Sequence, residues 1–272
     1  MKTFNHLFFL AFITIIGLNA CSKDDTPPAP DGQEKAVLSI QFDNIVGDKN
    51  LQLNTGVYKN AAGEEFKISL LRYFISNISV KNSTGSEYVI PQDSSYFIVA
   101  ESDPASQFIK VNVPAGDYHS LSFTLGVDSL RSTMDISKRT GVLDPSGGME
   151  DGMYWGWNSG YIFFKMEGIS SVAPLDPSGQ NKFRYHIGGF GGYSAPTLNN
   201  IRKITIDLTA GGIAKVRSDR QANIHLMTDI LKLFNGATTV SIAANPTVMF
   251  SDFSVLVADN YVNMFRHDHT EN

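Results

Sequence analysis

Trp155 and Trp157 are the chain's only two tryptophans, and Tyr154 and Tyr161 stand close by in the same run, 148–168. On an extended strand, residues two apart share a side, so the two indoles would lie side by side across Gly156. Such a pair has three uses. It can pack into a core, where aromatic rings supply much of the burial. It can form a flat platform, with Trp155, Trp157 and Tyr161 stacking on a glycan or a protein partner. It can be oxidised, since indole gives up electrons readily. On bare physics, core packing is the simplest of the three.

The histidines are the other chemistry-bearing groups. There are six. His6 belongs to an apolar leader. His119 shares a strand face with Leu121 and Phe123, as a core or strand-end histidine does. His186 alternates with Lys182 and Arg184, so periodicity places it toward solvent. His225 lies on one face with Asn223 and Met227 and reads as ordinary surface. The tail from Met264 to His269 is denser, with His267, His269, Asp268 and a thioether close together. Such a set suits a soft or borderline metal, copper or zinc, although imidazolium at a helix end is also favoured by the helix dipole. Asp144, Glu150 and Asp151 crowd a Gly-rich loop without the spacing of a calcium loop. No nucleophile elbow, phosphate loop or HExxH zinc motif is present, and no acid–base pair declares itself, so the chain reads as a binding protein and not an enzyme.

The single cysteine, Cys21, follows Leu18-Asn19-Ala20 and an apolar stretch over residues 7–18 with Lys2 before it. That stretch is too short to span a bilayer and reads as an export signal. A small residue directly before a lone cysteine resembles the bacterial lipobox, which implies cleavage before Cys21 and acylation there. Ser22-Lys23-Asp24-Asp25 resembles the lipoprotein export signal of Bacteroidetes, which implies display on the outer face of the outer membrane; the periplasmic face is the alternative. Residues 1–20 are then the signal, 21–35 a lipidated Pro-rich tether and 36–272 one domain. The net charge is −5, without basic runs, which argues against nucleic acid as a partner. Once Cys21 is acylated, no thiol remains for a disulfide or a thiolate site.

These groups must be positioned by strands. Leu38, Ile40 and Phe42 alternate with polar residues, as do Phe66, Ile68 and Leu70. Ile109, Val111 and Val113 repeat the pattern, then Leu121, Phe123, Leu125 and Val127, then Ile204, Ile206 and Leu208. Period two over many short segments predicts half-buried antiparallel strands, and the turns between them suggest an all-β, immunoglobulin-like sandwich. A short helix is predicted over 229–234. A second runs over about 252–265, capped by Ser251 and docking through Phe253, Leu256, Val257, Tyr261 and Met264.

With these segments in place, the chain resembles the MbnP-like family, named for a periplasmic copper protein of the methanobactin operon. The resemblance runs in order over about 36–235. It covers LSIQF at 38–42, YKNAAG at 58–63, LRYFISNI at 71–78, LGVD at 125–128, MYWGWNSGY at 153–161, YHIG at 185–188 and LKLF at 231–234. It implies an extracytoplasmic β-sandwich that binds copper. It also implies that a partner di-haem cytochrome c peroxidase oxidises a tryptophan, here Trp155 or Trp157, to kynurenine. His186 matches the histidine of the family's His-Leu-Gly motif and becomes a candidate copper ligand beside His267 and His269. In the better-known branch an Asn-His pair follows the Gly-Val strand and cysteines follow the His-Leu-Gly motif. This chain has DSLR at 128–131 and FGGY at 190–193.

Overall fold

The computed structural model describes residues 34–149, 152–156 and 160–272. The predicted signal, tether and lipidation site Cys21, and also Trp157, lie outside the described residues. In chain order the strands are β1 (Lys35–Val46), β2 (Lys49–Asn50), β3 (Tyr58–Lys59), β4 (Glu65–Lys81), β5 (Glu87–Val89), β6 (Tyr96–Ala100), β7 (Phe108–Pro114), β8 (Gly116–Tyr118), β9 (Ser120–Leu125), β10 (Tyr154–Trp155), β11 (Gly160–Ile169), β12 (Lys182–Gly188), β13 (Arg202–Asp207), β14 (Ala214–Val216), β15 (Ala222–Asp229), β16 (Thr247–Val248) and β17 (Phe265–Glu271). The α-helices are α1 (Ser129–Thr133), α2 (Leu231–Phe234) and α3 (Asp252–Tyr261). Among the described residues no helix is long and apolar enough to cross a membrane.

The protein is all-β in class and sandwich-like. The smaller sheet runs β17-β15-β1-β2, with β7 also on β1. The larger runs β13-β9-β4-β11-β12-β16, with β10 on β11 and β3, β5 and β6 on β4. The alternation of β1 decides its role: Leu38, Ile40 and Phe42 are fully buried, while Gln41 and Asp43 on the other face are partly exposed. Between the sheets Phe42, Tyr73, Phe123 and Phe265 pack edge to face, with ring centroids 5.1–6.3 Å apart, the arrangement that aromatic quadrupoles favour.

Three features depart from the sequence reading. First, two pairings are parallel, β1 with β15 and β12 with β16. The chain builds most of the larger sheet between β1 and β15, and such a long excursion lets a strand return in the same direction. Second, the larger sheet is covered on both faces. β11 reads GYIFFKMEGI with nearly every residue buried, with β10 paired to it and the Leu143, Met149 and Gly152 carbonyls accepting from Tyr161 and Lys165. Third, the helix predicted over 252–265 ends at Tyr261, and the tail continues as strand β17. Phe265 turns into the ring cluster and the backbone pairs with β15, so tertiary pairing overrides the helical pattern. The short helix is likewise only Leu231–Phe234, since Asp229 finishes β15 and its carboxylate accepts the Gly47 and Leu231 amides.

Candidate functional site

Two places gather the groups singled out from the sequence. The first lies on the outer face of the larger sheet. On β12, residues 184, 186 and 188 point to one side. A methyl group at Gly188 would lie 2.8 Å from the Trp155 ring and would run into the Tyr161 carbonyl. The bare glycine therefore lets the edge of the indole approach the strand two residues from His186. Trp155 is wholly buried, with Phe250 edge-on at 6.2 Å. Tyr161 is 1% exposed, donates its hydroxyl to the Leu143 carbonyl and packs against Phe74 and Tyr154. Trp155 and Tyr161 are therefore core residues rather than exposed rings.

His186 is 2% exposed, a correction to the solvent-facing position that periodicity gave it. Trp155, against Gly188 on the same strand as His186, and the loop bonded to the neighbouring Lys165 shield this face. The His186 Nε2 lies 2.8 Å from Glu167 Oε1 on β11, and the imidazole holds the Glu167 carboxyl below its ordinary range despite burial. Its Nδ1 has no hydrogen-bond partner among the described residues. Lys165, its cross-strand neighbour, is equally buried and donates to the Met149 and Gly152 carbonyls, which pins the covering loop to the sheet.

The 128–131 segment joins this end of the molecule, where the Ser129 hydroxyl donates to the Phe190 carbonyl at 2.7 Å. It brings no imidazole. Asp128 accepts hydrogen bonds from Tyr96, Asn77, Gln92 and the Arg131 amide. Burial would raise its carboxyl, but bonds from Tyr96, the Arg131 amide and Asn77 outweigh that and lower it. Arg131 is tied to Asp93 and the Lys138 carbonyl. The described residues of this face thus offer a metal one imidazole nitrogen, His186 Nδ1.

The second place is the outer face of the smaller sheet. β1 and β15 run parallel with Gln41 beside His225 and Asp43 beside Met227. β17 lies antiparallel on the other side of β15, with His269 opposite His225. The donor atoms of His225, Asp268 and His269 lie within 4.8 Å of one another. His267 and His269, expected to act together, are separated by a β-bulge. His267 sits opposite the fully buried Leu226, so it turns to the inner side, where its Nε2 lies 2.9 Å from the Thr270 hydroxyl and burial lowers its basicity. An extra residue in one strand reverses the facing of the residues beyond it, so a His-x-His pair that would share a face in a regular strand is split. His225, read as ordinary surface, replaces His267 in the cluster. The available signal was the run of outward polar residues at alternate positions of β1 and β15, namely Gln41, Asp43, Asn223 and His225.

Comparison with known proteins accords with the order of the motifs. The MbnP family model matches residues 35–250. The solved structure of MbnP from Methylosinus trichosporium is similar in fold, covering 80% of this chain and 82% of that one, with 15% identity and a TM-score of 0.52. No curated protein matches the sequence significantly. A family match over most of the chain, together with a shared sandwich, leads to one conclusion: the chain belongs to the MbnP family.

Proposed function

We propose that the protein is an extracytoplasmic copper-handling protein, anchored by lipid at Cys21 and without catalysis of its own. Family membership supports the link to methanobactin-associated copper chemistry. The observation that carries the reading is a buried His186 on β12, two residues before the glycine that the Trp155 ring packs against, with Nδ1 of His186 left unpartnered among the described residues. Glu167 holds the other ring nitrogen, as carboxylates orient ligating imidazoles in metal sites. The described residues fit copper in part: His186 would hold it, and imidazole suits both oxidation states. Oxidation of Trp155 or Trp157 to kynurenine by a partner di-haem peroxidase would add a carbonyl or an amine donor. The lipobox-like segment supports outer-membrane anchoring, with the cell surface as the favoured face. A stacking platform for glycans is disfavoured by the burial of Trp155 and Tyr161.

The test is peptide mass spectrometry across residues 152–165 on protein from its native host, paired with Cu(I) competition titration. We expect one tryptophan to have lost a carbon and gained an oxygen, and Cu(I) affinity tighter than micromolar that falls at least tenfold in His186→Ala. Two intact indoles together with Cu(I) binding indifferent to His186 would refute the proposal.

A further inference from the structure

We propose that His225, Asp268 and His269 form a second metal site, for a borderline divalent cation such as Zn²⁺ or Cu²⁺, on the outer face of the smaller sheet. The site goes beyond the copper reading above. Two of its three donors lie past residue 250, outside the segment that matches the family.

The geometry is that of one face of a tetrahedron. His225 Nδ1 and His269 Nδ1 are 3.4 Å apart. Asp268 Oδ2 lies 3.5 Å from the first and 2.9 Å from the second. A tetrahedral zinc with bonds of about 2.0–2.1 Å separates its donors by roughly 3.3 Å, so the three atoms already stand near the required spacing. The rings cross at 80° with centroids 4.9 Å apart, which lets both nitrogens face one point without the rings colliding. The fourth position opens to solvent, since His269 and Asp268 are exposed.

The far nitrogens are also arranged for ligation. His225 Nε2 lies 3.3 Å from Asp43 Oδ2 on β1. His269 Nε2 lies 3.7 Å from Glu271 Oε1. The Asp43 carboxylate on the distal nitrogen of His225 fixes that ring and makes its ligating nitrogen more basic, while Glu271 adds negative charge beside His269. Arg266 Nη1 stands 3.5 Å from the other Asp268 oxygen, which leaves Oδ2 to face the imidazoles. Three carboxylates around two imidazoles and one guanidinium favour a cation. Two imidazoles and one carboxylate select zinc and copper over calcium or magnesium, which require oxygen ligands.

The experiment is isothermal titration of the full chain with Zn²⁺ and, separately, Cu²⁺, with Co²⁺ as an optical probe of tetrahedral coordination. We expect one equivalent of Zn²⁺ with micromolar or tighter affinity, and an intense visible Co²⁺ spectrum. Cu²⁺ should compete for the same equivalent. His225→Ala and His269→Ala should each weaken binding by about 100-fold or more, and Asp43→Asn by roughly 10–100-fold. Metal should raise the melting temperature of the wild type by mass action but not that of His225→Ala. His267→Ala and His186→Ala should leave Zn²⁺ binding unchanged; the latter separates this site from the one beside Trp155. No stoichiometric Zn²⁺ binding, or His225→Ala binding as tightly as the wild type, or His267→Ala losing as much as His269→Ala, overturns the assignment.

Discussion

At the scale of single residues, Glu64 shows how a buried charge is met. Glu64 is buried, and its carboxylate accepts bonds from Asn60 Nδ2 at 2.7 Å, Ser241 Oγ at 2.7 Å, the Ile242 amide at 2.7 Å and the Ala243 amide at 3.1 Å. One side chain thus ties the turn before β4 to a loop far along the sequence. Glu64→Gln turns an amide N–H toward at least one of these donors and should cost about 3 kcal/mol, since bonds to a charged acceptor are worth roughly 1.5–3 kcal/mol each. Burial alone would raise the Glu64 carboxyl, but the bonds from Asn60, Ser241 and the two amides reverse this and lower it. A lowered folded-state value stabilises the protein above the unfolded value of about 4.3 and is lost as pH falls through the folded one. Urea titrations below pH 5 should show the wild type losing stability more steeply than Glu64→Gln. Parallel acid limbs would refute this account.

At the scale of elements, irregular points in strands do the positioning. β4 is long and pairs with β9 through a register shift between Ser76 and Ser79. Asn77 sits in that shift with φ of +48° and donates to Asp128 at 3.1 Å. Asparagine tolerates the left-handed region, whereas other side chains there cost about 1–2 kcal/mol. Asn77→Ala should therefore destabilise by about 2 kcal/mol and Asn77→Gly by less than half as much, as read from denaturant midpoints. Equal losses in both would show that the hydrogen bond matters and the backbone conformation does not. The bulge in β17 works likewise, sending His267 inward and His269 outward. Neither irregularity carries a sequence mark strong enough to place it: Asn77 lies in a strand that already mixes serines with apolar residues, and the β17 segment holds only one apolar residue, Phe265.

At the scale of the whole molecule, the last strand closes the core. Phe265 touches Phe42, Tyr73 and Phe123, one from the smaller sheet and two from the larger. Phe265→Ala should cost about 3–5 kcal/mol, the usual loss for removing a buried ring, measured by thermal or urea unfolding. A loss under about 1 kcal/mol would mean that the sandwich closes without β17. This strand, with Asp268 and His269 of the cluster it completes, lies beyond residue 250, where the family match ends.

Class and most strand positions were legible in the amino-acid order, because period-two alternation is a direct record of one buried face. β1, β7, β9 and β13 are where that alternation places them, and Ser251 does precede α3. The order of the motifs also pointed to the family. Linear order could not hold whatever depends on a second surface. The alternation on β12 is equally compatible with a solvated or a covered outer face, and only the packing of Trp155 and of the loop bonded to Lys165 decided that His186 is buried. The cluster of His225, Asp268 and His269, with Asp43 behind it, joins residues up to 226 positions apart through one parallel and one bulged antiparallel pairing. Local pattern reports local burial; contact between distant strands is fixed by the energy of the whole core.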